Sequence, residues 1–401
     1  MDRLKISTAG ESHGKALVGI IEGIPAGLPI ETETINEQLR RRQQGYGRGG
    51  RMKIEQDKAE ILSGVRWGKT LASPIALKID NRDWENWQKG MSSLAQDEGS
   101  IPPVTRARPG HADLAGCLKH GFRDIRNVLE RSSARETAMR VALGAVCRTF
   151  LAQFGITIGS FVVRIGGAGK RYYQSAMNEP GATKDIGNQL LALSAKADQS
   201  PVRCPFEEDA QSMIRAIDEA IERGDTIGGV FEVFAVGLPV GLGSHVQWDK
   251  RLNGQLAQAI MSIQAVKGVE CGLGFDLSGL FGSKLMDEIL YSDETGFYRQ
   301  SNFAGGLEGG MTNGMPLLMR AIMKPIPTQR KPLKSIDIIT KEPKEAAYER
   351  SDVCAVAACS VIAEAMIAFV LTDAILCKFG GDCIDETMRN YNNYLTYLKG
   401  Y

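Results

Sequence analysis

The sequence predicts a mixed helix-and-strand fold in one continuous body, and three observations predict it. Apolar residues recur at helical spacing over 207–223 and 251–266, and a third helical stretch runs from Ser133 to about Phe154. Each of these stretches gives way to an apolar, glycine-edged strand, at 156–165, 227–240 and 268–275. No proline- or serine-rich linker divides the 401 residues, although length alone would suggest roughly two or three domains. The repeated helix-then-strand unit suggests a structural duplication within one domain spanning 1–401.

Composition narrows the function. The chain is 43% hydrophobic and 24% charged with a net charge of +1, so it can bury a large core but carries no overall basic field to draw nucleic acid or an anionic membrane. The eight cysteines are scattered without C-x-x-C or Cys/His metal spacing and read as small buried hydrophobes in a reducing compartment. Met1-Asp2-Arg3-Leu4-Lys5 leads into a strand rather than a signal peptide, which points to the cytoplasm. Val353 to Cys377 is apolar enough to suggest a membrane span, but Glu364 and Asp373 interrupt it, so a buried core helix is expected.

In chain order, Leu4–Thr8 and Leu17–Ile24 are expected strands around Gly10-Glu11-Ser12-His13-Gly14, a loop that sets a histidine between glycines. A short helix over 34–42 leads into RRRQQGYGRGGR, where arginine offers anion capture and glycine offers mobility. A lid over an anionic substrate and a nucleic-acid arm both fit that composition; the single aromatic, Tyr46, and the neutral balance disfavour the arm. Residues 60–80 read as a hairpin, and 81–103, with Trp84 and Trp87, as a long surface excursion. The chain centres on 106–140, where seven arginines surround His111, and Ser133-Ala134-Arg135-Glu136 has capping-box spacing. A histidine, clustered guanidinium groups and a helix start together point to acid/base chemistry on a strongly anionic small molecule. The other two histidines, His120 and His245, read as structural. Gly305–Gly314 matches neither a Walker loop nor a dinucleotide fingerprint; a backbone that lies against a flat cofactor and a glycine-rich hairpin fit it equally. A strand at Leu317–Met323 follows, then Lys324-Pro325-Ile326-Pro327-Thr328. Asp352 is expected in the first turn of the apolar helix, and the chain closes on a polar, tyrosine-rich tail.

Taken together, GESHG at 10–14, RRRQQGYGRGGR at 40–51, RPGHAD at 108–113, ERSSARETAMR at 130–140, GGMTNG at 309–314 and RSD at 350–352 resemble chorismate synthase, in that family's order and across nearly the whole chain. The resemblance implies an α+β fold with helices sandwiched between antiparallel sheets, assembled as a homotetramer. It implies conversion of 5-enolpyruvylshikimate 3-phosphate to chorismate by anti-1,4-elimination of phosphate, requiring reduced FMN with no net redox change. It assigns Ser12, Arg42, Arg48, Arg51, Arg108 and Arg135 to substrate, with Arg42 and Arg48 also linked to NADPH as flavin reductant. Ser133, Ala134, Arg135, Gln264, Ala265, Gly309, Lys324, Pro325, Ile326, Pro327, Thr328 and Arg350 are implied to touch FMN. On that basis His13 is expected to be the acid toward the departing phosphate, His111 a donor to the N1/C2 side of the flavin, and Asp352 the proton relay at N5. The reduced flavin is supplied either by NADPH at the same site or by an external flavin reductase.

Overall fold

The computed structural model describes residues 1–49, 56–169, 186–349 and 351–401. Two four-stranded antiparallel sheets enclose a layer of helices. The first sheet uses β1 (Lys5–Ala9), β2 (Ala16–Glu22), β3 (Ala59–Ile61) and β4 (Ile75–Asp80), in the order β1-β2-β4-β3. The second uses β5 (Thr157–Ile165), β6 (Gly229–Val236), β7 (Val266–Cys271) and β8 (Leu317–Met323), in the order β5-β6-β8-β7. Both sheets thus place their fourth strand between the second and third. In each half a helix links the second strand to the third, α1 (Thr32–Gln43) in one and α7 (Leu252–Met261) in the other, and a long core helix follows the fourth strand, α4 (Thr137–Ala152) or α8 (Val356–Phe379). The duplicated unit is therefore the whole half rather than a single helix and strand.

Between these landmarks lie α2 (Asp113–His120), α3 (Arg126–Ser132), α5 (Ile186–Ala197) and α6 (Glu207–Arg223). The expected pattern holds in α6, whose Ala210, Met213, Ile217 and Ala220 face the core, and left-handed Gly224 at φ 68° ends it. The tyrosine-rich tail is a helix, α9 (Ile384–Lys399). Tyr391 fixes it, with its ring 5.1 Å from Phe154 and 5.2 Å from Phe379 in edge-to-face geometry.

One continuous apolar cluster runs from Leu4 to Tyr391 through both sheets and the helices between them. At its centre α8 is buried on nearly every side. Among the described residues it is the one helix long and apolar enough to cross a membrane, and its burial makes it the core helix that the sequence suggests. Its two acids have defined tasks. Asp373 accepts the backbone N–H of Arg3 and of Leu4, each at 2.8 Å, tying the first strand to the helix. Glu364 accepts from Arg41 at 2.7 and 2.9 Å and from Arg148 at 2.7 Å, with Arg203 at 3.4 Å. Burial pushes the Glu364 carboxyl up, but these cations outweigh it and bring it down to about 2. The α4–α8 crossing depends on a missing side chain: a Cβ on Gly144 would lie 2.4 Å from Ala365 Cβ and 2.8 Å from its Cα.

Two outcomes follow. Gly144→Ala gains about 1 kcal/mol of helix propensity, but its methyl meets backbone that cannot swing aside, at a cost of about 1–3 kcal/mol; a lowered urea midpoint is expected, and a raised one would contradict the packing account. The Glu364 carboxyl lies lower in the folded chain than its usual 4.5, so its stabilisation is present above that pH and is lost as pH falls from about 4.5 towards 2. The stability gap between wild type and Glu364→Gln, followed by acid titration of unfolding, is expected to close over that window.

Candidate active site

The turn before α4 is set by Ser133, whose Oγ accepts the Arg135 backbone N–H at 3.3 Å. This is a simple N-cap bond, not the expected capping box, in which Ser133 Oγ would accept from the Glu136 N–H. Residues Ala134–Glu136 make a single 3₁₀ turn and α4 starts at Thr137, because Glu136 turns away to Arg140 at 2.9 Å and Gln264 at 3.2 Å. Arg42, at the end of α1, reaches this turn, donating to Ala134 O at 2.8 Å and Thr137 Oγ1 at 3.0 Å. Asp57 lies behind both arginines: Arg135 holds its two oxygens at 2.6 and 2.7 Å, and Arg42 stands 3.8 Å away.

His13 is held from two sides. Its backbone N–H donates to Glu130 Oε2 at 2.8 Å, and its ring Nδ1 lies 2.9 and 3.0 Å from the two Glu130 oxygens. Trp87, from the supposed surface excursion, packs over the imidazole with ring centroids 4.1 Å apart. Burial pushes the Glu130 carboxyl up, but its hydrogen bonds and charge contact with His13, backed by Arg126, bring it below the usual range. Ser12, next in the loop, donates its N–H to Glu130 O at 3.0 Å, and its hydroxyl accepts from Ser133 at 3.2 Å.

His111 has a matching partner two residues on. Its Nδ1 lies 2.5 Å from Asp113 Oδ1, and the same carboxylate takes Arg108 Nε at 2.8 Å and Nη2 at 3.0 Å. Asp113 is fully buried, yet its carboxyl is held well below the usual range, because the hydrogen bonds and charges of His111 and Arg108 outweigh desolvation. The loop turns at Gly110, φ 77°, whose carbonyl accepts from Lys324 Nζ at 2.5 Å. Beside it opens a cleft of about 610 Å³ that includes Arg108, His111, Leu114 and Lys334.

Asp352 departs from expectation. The helix begins at Val356, four residues later, so Asp352 is not in its first turn; it accepts the Gly49 N–H at 2.6 Å and pairs with Arg48 Nε at 3.0 Å. Left-handed Gly47, φ 78°, allows that approach and takes the Val353 N–H at 2.8 Å.

These pieces join into one path. Ala265, itself left-handed at φ 67°, accepts the Lys324 N–H at 2.9 Å. In the turn through Pro325, Ile326 and Pro327, the Ile326 carbonyl accepts from Thr226 at 2.7 Å. Thr328 accepts from Arg108 at 3.1 Å through its hydroxyl and from Ser351 at 3.0 Å through its carbonyl. Arg48 then spans Asp352 and the Arg42 carbonyl, at 3.5 Å, and Arg42 leads on to Ala134, Ser133, Ser12 and His13. Gly309 lies apart. It is the tip of a two-residue hairpin between 307–308 and 311–312, with Gly310 also left-handed. Arg51 and Arg350 lie outside the described residues.

Sequence reasoning missed the acids beneath the cations. Asp113 sits inside RPGHAD and Glu130 opens ERSSARETAMR, so both were in view, but nothing in either motif says which base each carboxylate meets. Asp57 and Trp87 carry no sequence signal at all.

The surround leaves one acceptor open to an N–H-bearing group. Gln264 Oε1 is buried with no hydrogen-bond partner among the described residues, an acceptor suited to such an N–H group. No group of His, Cys, Asp and Glu that could hold a metal ion occurs among the described residues. Two carboxylate-backed imidazoles and a run of braced arginines, in a sandwich of antiparallel sheets, define an enzyme site for a small polyanion. The chorismate synthase family model matches residues 4–376. The chain is 56% identical to the chorismate synthase of Aquifex aeolicus over 400 residues, 99% of each protein, and 54% identical to that of Geobacter sulfurreducens over 99% of this chain and 100% of that one. A crystal structure of a chorismate synthase superimposes with a TM-score of 0.81 at 47% identity over the full length of both chains. The chain belongs to the chorismate synthase family, lyases of the shikimate pathway that release phosphate from 5-enolpyruvylshikimate 3-phosphate.

Breaking the Arg108–Asp113–His111 set should be costly on one side only. Asp113→Asn strands a buried guanidinium and is expected to lower unfolding free energy by about 3–5 kcal/mol, while the paired change Arg108→Met with Asp113→Leu costs less. Urea titration of the three proteins checks this; an equal loss in single and double variants would contradict it.

Proposed function

We propose that this chain converts 5-enolpyruvylshikimate 3-phosphate to chorismate by anti-1,4-elimination of phosphate, with loss of a C6 hydrogen and no net redox change. Reduced FMN, when bound, supplies electron density for the C–O cleavage and an acceptor for the C6 hydrogen. His13 holds the proton that meets the leaving phosphate oxygen, which makes departure of the dianion easier. His111 holds a proton towards the N1/C2 edge of the ring system, and Asp352 moves one at N5. Arg42, Arg48, Arg51, Arg108 and Arg135, with Ser12, hold and orient the substrate anions. Ser133, Ala134, Arg135, Gln264, Ala265, Gly309, Arg350 and the Lys324–Thr328 turn would hold FMN. The observation that supports this assignment is the path of contacts from His111 through Arg108, Thr328, Ser351, Asp352, Arg48, Arg42, Ala134 and Ser133 to Ser12 and His13.

In the same reading the subunit is a single domain over 1–401 and works in the cytoplasm as a homotetramer, without nucleic-acid or membrane partners. Exposed Phe275, Phe281, Met286, Ile289 and Phe297 lie along one segment and offer apolar surface for subunit contact. Flavin arrives reduced by NADPH bound near Arg42 and Arg48, or from a separate flavin reductase.

Anaerobic incubation with substrate and chemically reduced FMN is expected to release phosphate without NADPH; no release would refute the proposal. Release with NADPH and oxidised FMN alone would identify a built-in reductase. His13→Ala and His111→Ala are each expected to lower turnover by about 100- to 10,000-fold with the fold intact, and wild-type turnover in either folded variant would remove that residue's role.

A further inference from the structure

The carboxylate under His13 does more than fasten a loop. A carboxylate can only accept, so the hydrogen bond at 2.9 Å has Nδ1–H as its donor. That fixes the tautomer and leaves Nε2 as the nitrogen through which a proton passes. The same side chain takes the His13 backbone N–H at 2.8 Å, so ring and main chain are held by one group. Both Glu130 oxygens lie within 3.0 Å of Nδ1, whereas Asp113 divides its oxygens between His111 and Arg108. Glu130 is 2% exposed, so water does not compete for it. Arg126 donates to Oε1 at 3.0 Å, sits 5.0 Å from the Trp87 ring centroid and lies 3.8 Å from Glu349, which fixes the carboxylate from its far side. Trp87 closes the face of the imidazole.

We infer that Glu130 is the positioning residue for His13: it holds the imidazole in the Nδ1–H tautomer, aims Nε2 at the leaving phosphate and compensates the charge of the protonated ring. This rests on the assignment of His13 as the acid, and the test separates the two. Glu130→Gln, Glu130→Asp, His13→Ala and the double variant His13→Ala/Glu130→Gln are assayed with reduced FMN. The tautomer of the neutral His13 ring is read from its ¹⁵N shifts in histidine-labelled protein, where only four histidines need assignment.

Glu130→Gln is expected to lower kcat at least about tenfold, and by no more than the about 100- to 10,000-fold of losing the acid altogether, with KM little changed. It should also move the neutral ring towards the Nε2–H tautomer. Glu130→Asp, which keeps the charge but draws it back, should fall between wild type and Glu130→Gln on both readouts, and it carries the test if Glu130→Gln does not fold. In the His13→Ala background Glu130→Gln should have almost no further effect on kcat, because two residues that act as one unit are not additive. The inference is overturned if Glu130→Gln slows His13→Ala by as large a factor as it slows wild type, or if the tautomer is the same in all three Glu130 forms. Wild-type turnover in His13→Ala would instead remove the acid role of His13, while the ¹⁵N readout would still decide whether Glu130 sets the tautomer.

Discussion

A guanidinium can be kept in a closed cleft only beside a carboxylate, and this requirement shapes the molecule. Asp57 lies between Arg42 and Arg135, Asp113 beneath Arg108 and His111, Glu130 beneath His13 and Arg126, and Asp352 beside Arg48. Glu364 repeats the device in the core, where Arg41, Arg148 and Arg203 converge on it. Left unpaired, any of these buried charges would cost several kcal/mol. Paired, they are fixed before any ligand arrives, which is the condition for donors to stabilise developing charge without first rearranging. This also explains how a chain of net charge +1 can concentrate so much arginine in one place. The cations share acids drawn partly from a few residues away, as Asp113 is for Arg108, and partly from far along the chain, as Asp57 is for Arg135 and Asp352 for Arg48.

That same fact sets what could be read in advance. Elements whose pattern is local were legible: the strand at Leu317–Met323 and the helix over Glu207–Arg223 with its glycine stop follow from pattern and turn chemistry. Residues whose task depends on a partner far along the chain were not. Glu130 meets His13 across 117 positions and Asp57 meets Arg135 across 78, so in sequence each resembles any solvated acid. Helix 384–399 was hidden for a related reason. Its anchor, Tyr391, earns a buried place only because Phe154 and Phe379 come to meet it. Asp352 was assigned to a helix start because the apolar run begins just after it, but its tie to Gly49 and Arg48 holds 351–355 outside the helix.

The duplication explains why the path of contacts crosses the molecule where it does. Helices α4 and α8 are equivalent in the two halves, and each is entered from a segment that contributes to the site, Ser133–Glu136 in one and Ser351–Asp352 in the other. They touch at Gly144 and Ala365, seven and nine residues in from their starts. At about 1.5 Å per residue both starts lie roughly 10–14 Å from the crossing, and Arg42 and Arg48 span the gap between them. Two helix N-termini thus lie at one end of the helix layer, each carrying a partial positive charge. The first half adds His13 and His111, and the second adds the Gln264–Ala265 and Lys324–Thr328 turns, so neither half holds the proposed site alone. The glycine that lets α4 and α8 cross closely is therefore part of the site's construction, although it stands well away from the imidazoles.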